Sequence, residues 1–252
     1  MGTLTALGLK LLDGFDKHVP SRILLIGSGD KRDRKLYRGN PTRFTGLHGA
    51  AYFVIVETAA ALLQMKKWDL DAADVAGNTP ILWAARNGRT AVLKVLLEQD
   101  GATPNTADRE GRTPLLWAVA GGHREIMKIL LDREDVTPDN ADKCGETPLL
   151  RAAEFGAVHI AKMLLDREDL TPNTADKDGR TSLSRAAGSG CEEVVKVLLA
   201  REDVAPNTMD KDGQTALLWA VKAEHGCIVE MLSVPNRPVR PSLGEDGTDY
   251  GS

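Results

Sequence analysis

Five side chains suited to molecular recognition recur at one spacing: Trp83, Trp117, Arg151, Arg185 and Trp219, each 34 residues from the next. An indole offers a flat apolar face and one N–H donor, and a guanidinium offers a fixed charge with five donors. Both are enriched where truncation at a protein interface costs ~2 kcal/mol or more. Acid–base or nucleophilic chemistry has no comparable constellation. His18, His48, His123, His159 and His225 are dispersed, and the three cysteines lack the spacing of a zinc site or a disulfide framework. Serine and cysteine occur without a nucleophile elbow. Gly27-Ser28-Gly29-Asp30-Lys31 follows the apolar run Ile23 to Ile26, a setting that suggests a phosphate loop. It lacks Walker spacing, a Ser or Thr after the lysine, and the third glycine of a dinucleotide fingerprint. No catalytic residue, cofactor or metal is expected, and the chain reads as non-enzymatic.

The elements that position these side chains come from a repeating phrase. Its glycine stands at Gly77, Gly111, Gly145, Gly179 and Gly213, six positions before each recognition residue. Three positions before the glycine is an aspartate, from Asp74 to Asp210; Asp followed closely by Gly predicts a tight turn. Two positions after it is a threonine, from Thr79 to Thr215, followed by proline at Pro80, Pro114 and Pro148; this predicts a helix N-cap and first turn. Apolar residues at +4, +7 and +8, such as Leu149, Ala152 and Ala153, share one helix face. A second glycine at +11 ends that helix. A second amphipathic helix follows, carrying Val194, Val197, Leu198 and Leu199 in the fourth unit. One unit cannot bury such faces alone, so the units must stack.

The phrase Asp-x-x-Gly-x-Thr-Pro-Leu, with Ala-Ala, Gly and Leu-Leu in register, resembles the ankyrin repeat. The resemblance implies an all-α solenoid of helix pairs with β-turn tips, arranged as five regular units and one degenerate N-terminal unit. The array spans 43–234, with units near 43–73, 74–107, 108–141, 142–175, 176–209 and 210–234. Thr45 to Ala51 falls 34 residues before Thr79 to Ala85, and His48 there matches the family histidine, which the five regular units lack. Ser182 and Ala216 replace proline. The usual Gly-Ala-Asp-Val-Asn reads Arg-Glu-Asp-Val-Thr-Pro, one residue longer. The resemblance further implies protein binding on a concave face built from the turn tips and from positions +6, +9 and +10. That places Trp83, Arg86, Asn87, Arg112, Trp117, Arg151, Glu154, Phe155, Arg185 and Trp219 against a partner. For the tryptophans a second reading stands beside it, in which they cover the seam between neighbouring helices. Arg151 and Arg185 fit exposure or charge pairing better than packing.

Composition agrees with a helical repeat: 252 residues, 42% hydrophobic and only 4% aromatic, enough for a substantial core of Ala, Leu and Val. A net charge of −4 does not favour nucleic acid. The first 43 residues carry nine Lys and Arg against four Asp, which reads as a solvated basic loop or as a contact for an acidic partner, nucleic acid or a membrane surface. No apolar run is long enough to span a membrane, and the N-terminus lacks the pattern of a signal peptide. Unpaired cysteines suit a reducing, intracellular setting, cytoplasmic or nuclear. Residues 1–42 read as a partly helical or cap-like segment and 235–252 as a disordered tail. The expected function is a monomeric protein–protein interaction scaffold; the alternative is the repeat portion of a larger signalling or effector protein.

Overall fold

The computed structural model describes residues 45–53, 59–60, 63–64 and 69–233. The expected segment 1–42, with its basic stretch and its Gly27–Lys31 run, and the expected tail 235–252 lie outside the described residues. Eleven helices and no strand occur among the described residues. Helix α1 is Gly46–Phe53. Five pairs follow: α2 Pro80–Arg86 with α3 Thr90–Leu97, α4 Pro114–Ala120 with α5 Arg124–Leu131, and α6 Pro148–Glu154 with α7 Val158–Leu165. The last two are α8 Ser182–Gly188 with α9 Glu192–Leu199, and α10 Ala216–Lys222 with α11 Gly226–Ser233.

Each first helix begins where the sequence predicts. The hydroxyl oxygens of Thr79, Thr113, Thr147, Thr181 and Thr215 accept the N–H three residues on, at 3.2 to 3.3 Å. Ser182 and Ala216 replace proline without changing this cap. The helix ends at the second glycine in a left-handed conformation, as at Gly156 with φ 64°. In the last unit Glu224 occupies that place with φ 61°, the only non-glycine with positive φ among the described residues. An L side chain in this region costs roughly 1–2 kcal/mol. Glu224→Gly is therefore expected to raise stability by about 1 kcal/mol, once glycine's larger unfolded-state entropy is set against the relieved strain. Urea denaturation reads this; a variant no more stable than the parent would refute the strain.

First helices pack on first helices and second on second, α2 with α4, α4 with α6, α6 with α8 and α8 with α10. Ala84, Ala118, Ala152, Ala186 and Ala220 are all fully buried, so the small side chain at +7 sets the close approach. Leu96, Leu130, Leu164 and Leu198 form the matching row of the second helices, also fully buried. Successive turn tips are joined through the backbone: Arg109 N–H donates to the Ala76 carbonyl at 3.0 Å and Lys143 N–H to Glu110 at 2.8 Å. A Cβ added at Gly145, which has φ 81°, would stand 2.8 Å from the Lys177 nitrogen. That position needs glycine both for conformation and for the approach of the next tip. At the far end, Leu218 and Val221 of α10 are exposed, whereas their counterparts Leu150 and Ala153 are fully buried.

The Arg-Glu-Asp loops that depart from the family pattern act as straps between units. Arg133, Arg167 and Arg201 each grip the aspartate two residues on, with both contacts at 2.7 to 2.8 Å. Each guanidinium also reaches the carbonyl that ends the preceding unit's second helix, at Leu97, Leu131 and Leu165. Cations are favoured at such helix C-termini. Arg167 is the most engaged, donating further to the carbonyls of Arg133 at 2.8 Å and Val136 at 3.1 Å. Arg167→Ala is expected to cost about 2 kcal/mol, since hydrogen bonds from a charged donor are worth roughly 1.5–3 kcal/mol. A change in the urea midpoint within error of the parent would show that the strap is idle.

Candidate protein-binding face

The recognition residues are anchored by the turn that precedes them. In each turn one carboxylate oxygen accepts two backbone N–H groups; Asp176 takes those of Asp178 at 2.8 Å and Arg180 at 2.9 Å. The other oxygen faces position +6, nine residues on. Trp83, Trp117 and Trp219 donate their indole N–H to Asp74, Asp108 and Asp210 at 2.7, 3.1 and 2.8 Å. Arg185 donates to Asp176 in the same way. In four of the five units position +6 is thus a side-chain N–H that braces its own turn against its own helix. Trp83 is only 1% exposed. Trp117 and Trp219 are half-buried. Asn87 donates to the Trp83 carbonyl at 2.8 Å and closes the end of α2.

In the third unit Arg151 departs from this pattern and turns to Glu146, with Nε 3.4 Å from the carboxylate. Arg185 reaches the same Glu146 at 2.7 Å and Glu154 at 3.4 Å, in addition to Asp176. Two guanidiniums and three carboxylates therefore interlock across two units. Burial raises the Glu146 carboxyl above its ordinary value, outweighing Arg185 and Arg151 beside it. For Asp176 burial also pushes upward, but hydrogen bonds from Arg185 and the turn N–H groups outweigh it and hold the carboxyl low. Arg185, with its side chain 17% exposed, is thus a pairing residue more than a surface one.

The open part of this face lies around these anchors. Arg86 and Arg112 both lie over the Trp117 ring, 4.3 and 4.2 Å from its centroid. Arg180 and Lys222 lie over Trp219 at 4.6 and 5.0 Å. Phe155, next to the end of α6, is 66% exposed. The residues at the same level in the units to either side are small, Ala120 and Gly121, then Gly188 and Ser189. Cys144 is exposed at its turn tip. Among the described residues no group of three His, Cys, Asp or Glu is placed to hold a metal ion.

The family described as ankyrin repeats (3 copies) matches residues 22–108, 47–142, 100–176, 134–210 and 168–239. The chain belongs to the ankyrin-repeat family. Among solved structures it is similar to the crystal structure of EF0377, an ankyrin repeat protein, with a TM-score of 0.69 and 27% identity over 75% of this chain and 97% of that one. No curated protein matches it. Ankyrin repeats are generally protein–protein interaction modules and typically non-enzymatic.

Two of the histidines make structural hydrogen bonds. His48 in α1 is fully buried, and its Nδ1 accepts from the Thr45 backbone N–H at 3.0 Å. Its Nε2 therefore carries the proton and donates to the Asn78 carbonyl at 2.9 Å. Burial lowers its pKa, so the ring stays neutral. His123 precedes α5, and its Nε2 lies 3.1 Å from the Arg86 carbonyl that helps end α2 in the preceding ankyrin unit. His159 is exposed on α7, away from the turn tips. No helix among the described residues of the array is long and apolar enough to cross a membrane.

Proposed function

We propose that this ankyrin array is a non-catalytic scaffold that captures a protein partner on the face formed by its turn tips and first helices. Phe155 carries the reading: a phenylalanine 66% exposed, in the middle unit of five, with Arg151 one helical turn before it. A lone apolar side chain needs no explanation on a surface. The face it shares also carries Trp117, Arg112 and Arg180, the aromatic and arginine types from which binding hot spots are built. Trp117, Arg151, Phe155 and Trp219 make the contacts, with Arg86, Arg112 and Glu154 beside them. Trp83, Asn87 and Arg185 hold that surface in shape from within.

A photo-reactive amino acid placed at position 155 tests this in cells, with one at Lys162, exposed on second helix α7, as the comparison. A protein adduct from position 155 and none from position 162 is expected. Equal adducts from both, or adducts from position 162 alone, would contradict the siting.

A further inference from the structure

We infer that the partner is an acidic, extended protein segment with an apolar residue among its carboxylates. The inference rests on the reading that this face binds protein, and adds the chemistry of what it binds.

Charge is the first observation. At the turn tips and the three helix positions of the face, the five units place ten basic residues against five acidic ones, in a chain whose net charge is −4. The tips largely cancel, because Arg109, Lys177 and Lys211 are each followed by an acid. Inward of the tips stand Arg86, Arg112, Arg151, Arg180, Arg185 and Lys222, beside Glu146 and Glu154. The turn aspartates Asp108 and Asp176 pair with Arg112 and Arg185, so what matters is the guanidinium donors those pairs leave over.

The second observation is which of these cations have donors to spare. Arg185 is saturated by three carboxylates. Arg112 uses only Nε, on Asp108 at 2.8 Å. Arg151 has one long contact, from Nε to Glu146. Arg180 donates no side-chain hydrogen bond to any described residue and rests on Trp219. The terminal guanidinium nitrogens of Arg112, Arg151 and Arg180 therefore lack protein partners among the described residues, in three successive units. A carboxylate accepts two parallel N–H bonds from such a group.

The spacing fits a particular chain. Packed helices stand roughly 8–10 Å apart. A polyproline-II segment repeats every three residues, over about 9 Å. Arg112 and Arg180 hold the same place, one past the turn glycine, in units two apart, and Arg151 stands in the unit between. A segment crossing the units is expected to offer them one carboxylate per unit. Phe155, exposed at the C-terminal end of α6, takes an apolar side chain of the same segment. A phosphate backbone fits less well. It carries a charge at every nucleotide, and Glu110, Glu146, Glu154, Asp178 and Asp212 interrupt the cationic row.

A phage-displayed library of random dodecapeptides, selected on the full chain, tests the inference. Enriched peptides are expected to carry at least three Asp or Glu and an apolar residue. Their binding, measured by fluorescence anisotropy of the synthesised peptide, is expected to weaken about tenfold with Arg151→Glu or Phe155→Ala and to fall with added salt. Lys162→Glu on the second-helix side is expected to leave it unchanged, and circular dichroism to show all three variants folded. Enrichment of neutral or basic peptides that still respond to Phe155→Ala overturns the acidic partner and leaves the protein-binding face standing. A thymidine 20-mer bound more tightly than any peptide overturns it in favour of nucleic acid. Peptides whose binding ignores Arg151 and Phe155 remove both the inference and the proposed face.

Discussion

Replacing Trp83 with alanine is expected to lower the unfolding free energy by about 3–5 kcal/mol, the range for deleting a buried aromatic. Trp83 is among the largest fully buried side chains and packs in the continuous core of the stack. Its indole N–H also braces Asp74, the carboxylate that shapes the first regular turn. Truncation thus opens a cavity and removes a buried donor together. Phe155→Ala, on the open side of the same face, is expected to change stability by less than about 0.5 kcal/mol. Urea denaturation followed by circular dichroism separates the two. A loss below about 1 kcal/mol for Trp83→Ala would mean that the bracing is dispensable.

Arg185→Ala is expected to cost about 3 kcal/mol near neutral pH, the lower part of the range for breaking a buried ion pair. The substitution leaves Glu146, Asp176 and Glu154 facing one another with Arg151 alone to oppose them. The pH dependence follows from the signs. In the parent, Asp176 and Asp210 are held below their ordinary 3.8, so they add stability above that value and lose it as pH falls through the lowered folded values. Glu146 is raised above its ordinary 4.5, so its ionised form costs stability at neutral pH, and protonation relieves it on the way down. Without Arg185 the already raised Glu146 shifts further upward, and Asp176 rises from its lowered value. The stability gap between variant and parent is therefore widest near pH 7 and narrows as pH falls to about 4. Thermal melts across that span check it; a gap independent of pH would show that the loss is packing alone.

The fold was legible in the sequence because its signals are local and repeated. Asp, Gly, Thr and Pro mark each turn and cap, and the alanines and leucines at fixed offsets mark the buried faces. The candidate site was legible only in part. Reading position +6 as the face opposite the core ignored the side chain's own hydrogen-bonding need. Trp and Arg both carry N–H donors, and an aspartate recurs nine residues before each; that pairing was the signal for a brace, and Trp83 shows it fully buried. The third unit, where Arg151 turns instead to Glu146, depends on side chains brought together from two units, which no single repeat reveals. The Arg-Glu-Asp loops look like a departure from the family pattern until Arg167 is seen reaching carbonyls 31 to 36 residues back.

The most direct test of the protein-binding face is hydrogen–deuterium exchange of the full chain, free and with a selected peptide bound. The account predicts slowed exchange at the tips around residues 109–112, 143–146 and 177–180 and around Phe155, with helices α5, α7 and α9 unchanged. Slowed exchange confined to α5, α7 and α9 would place the partner on the other side of the array and contradict it.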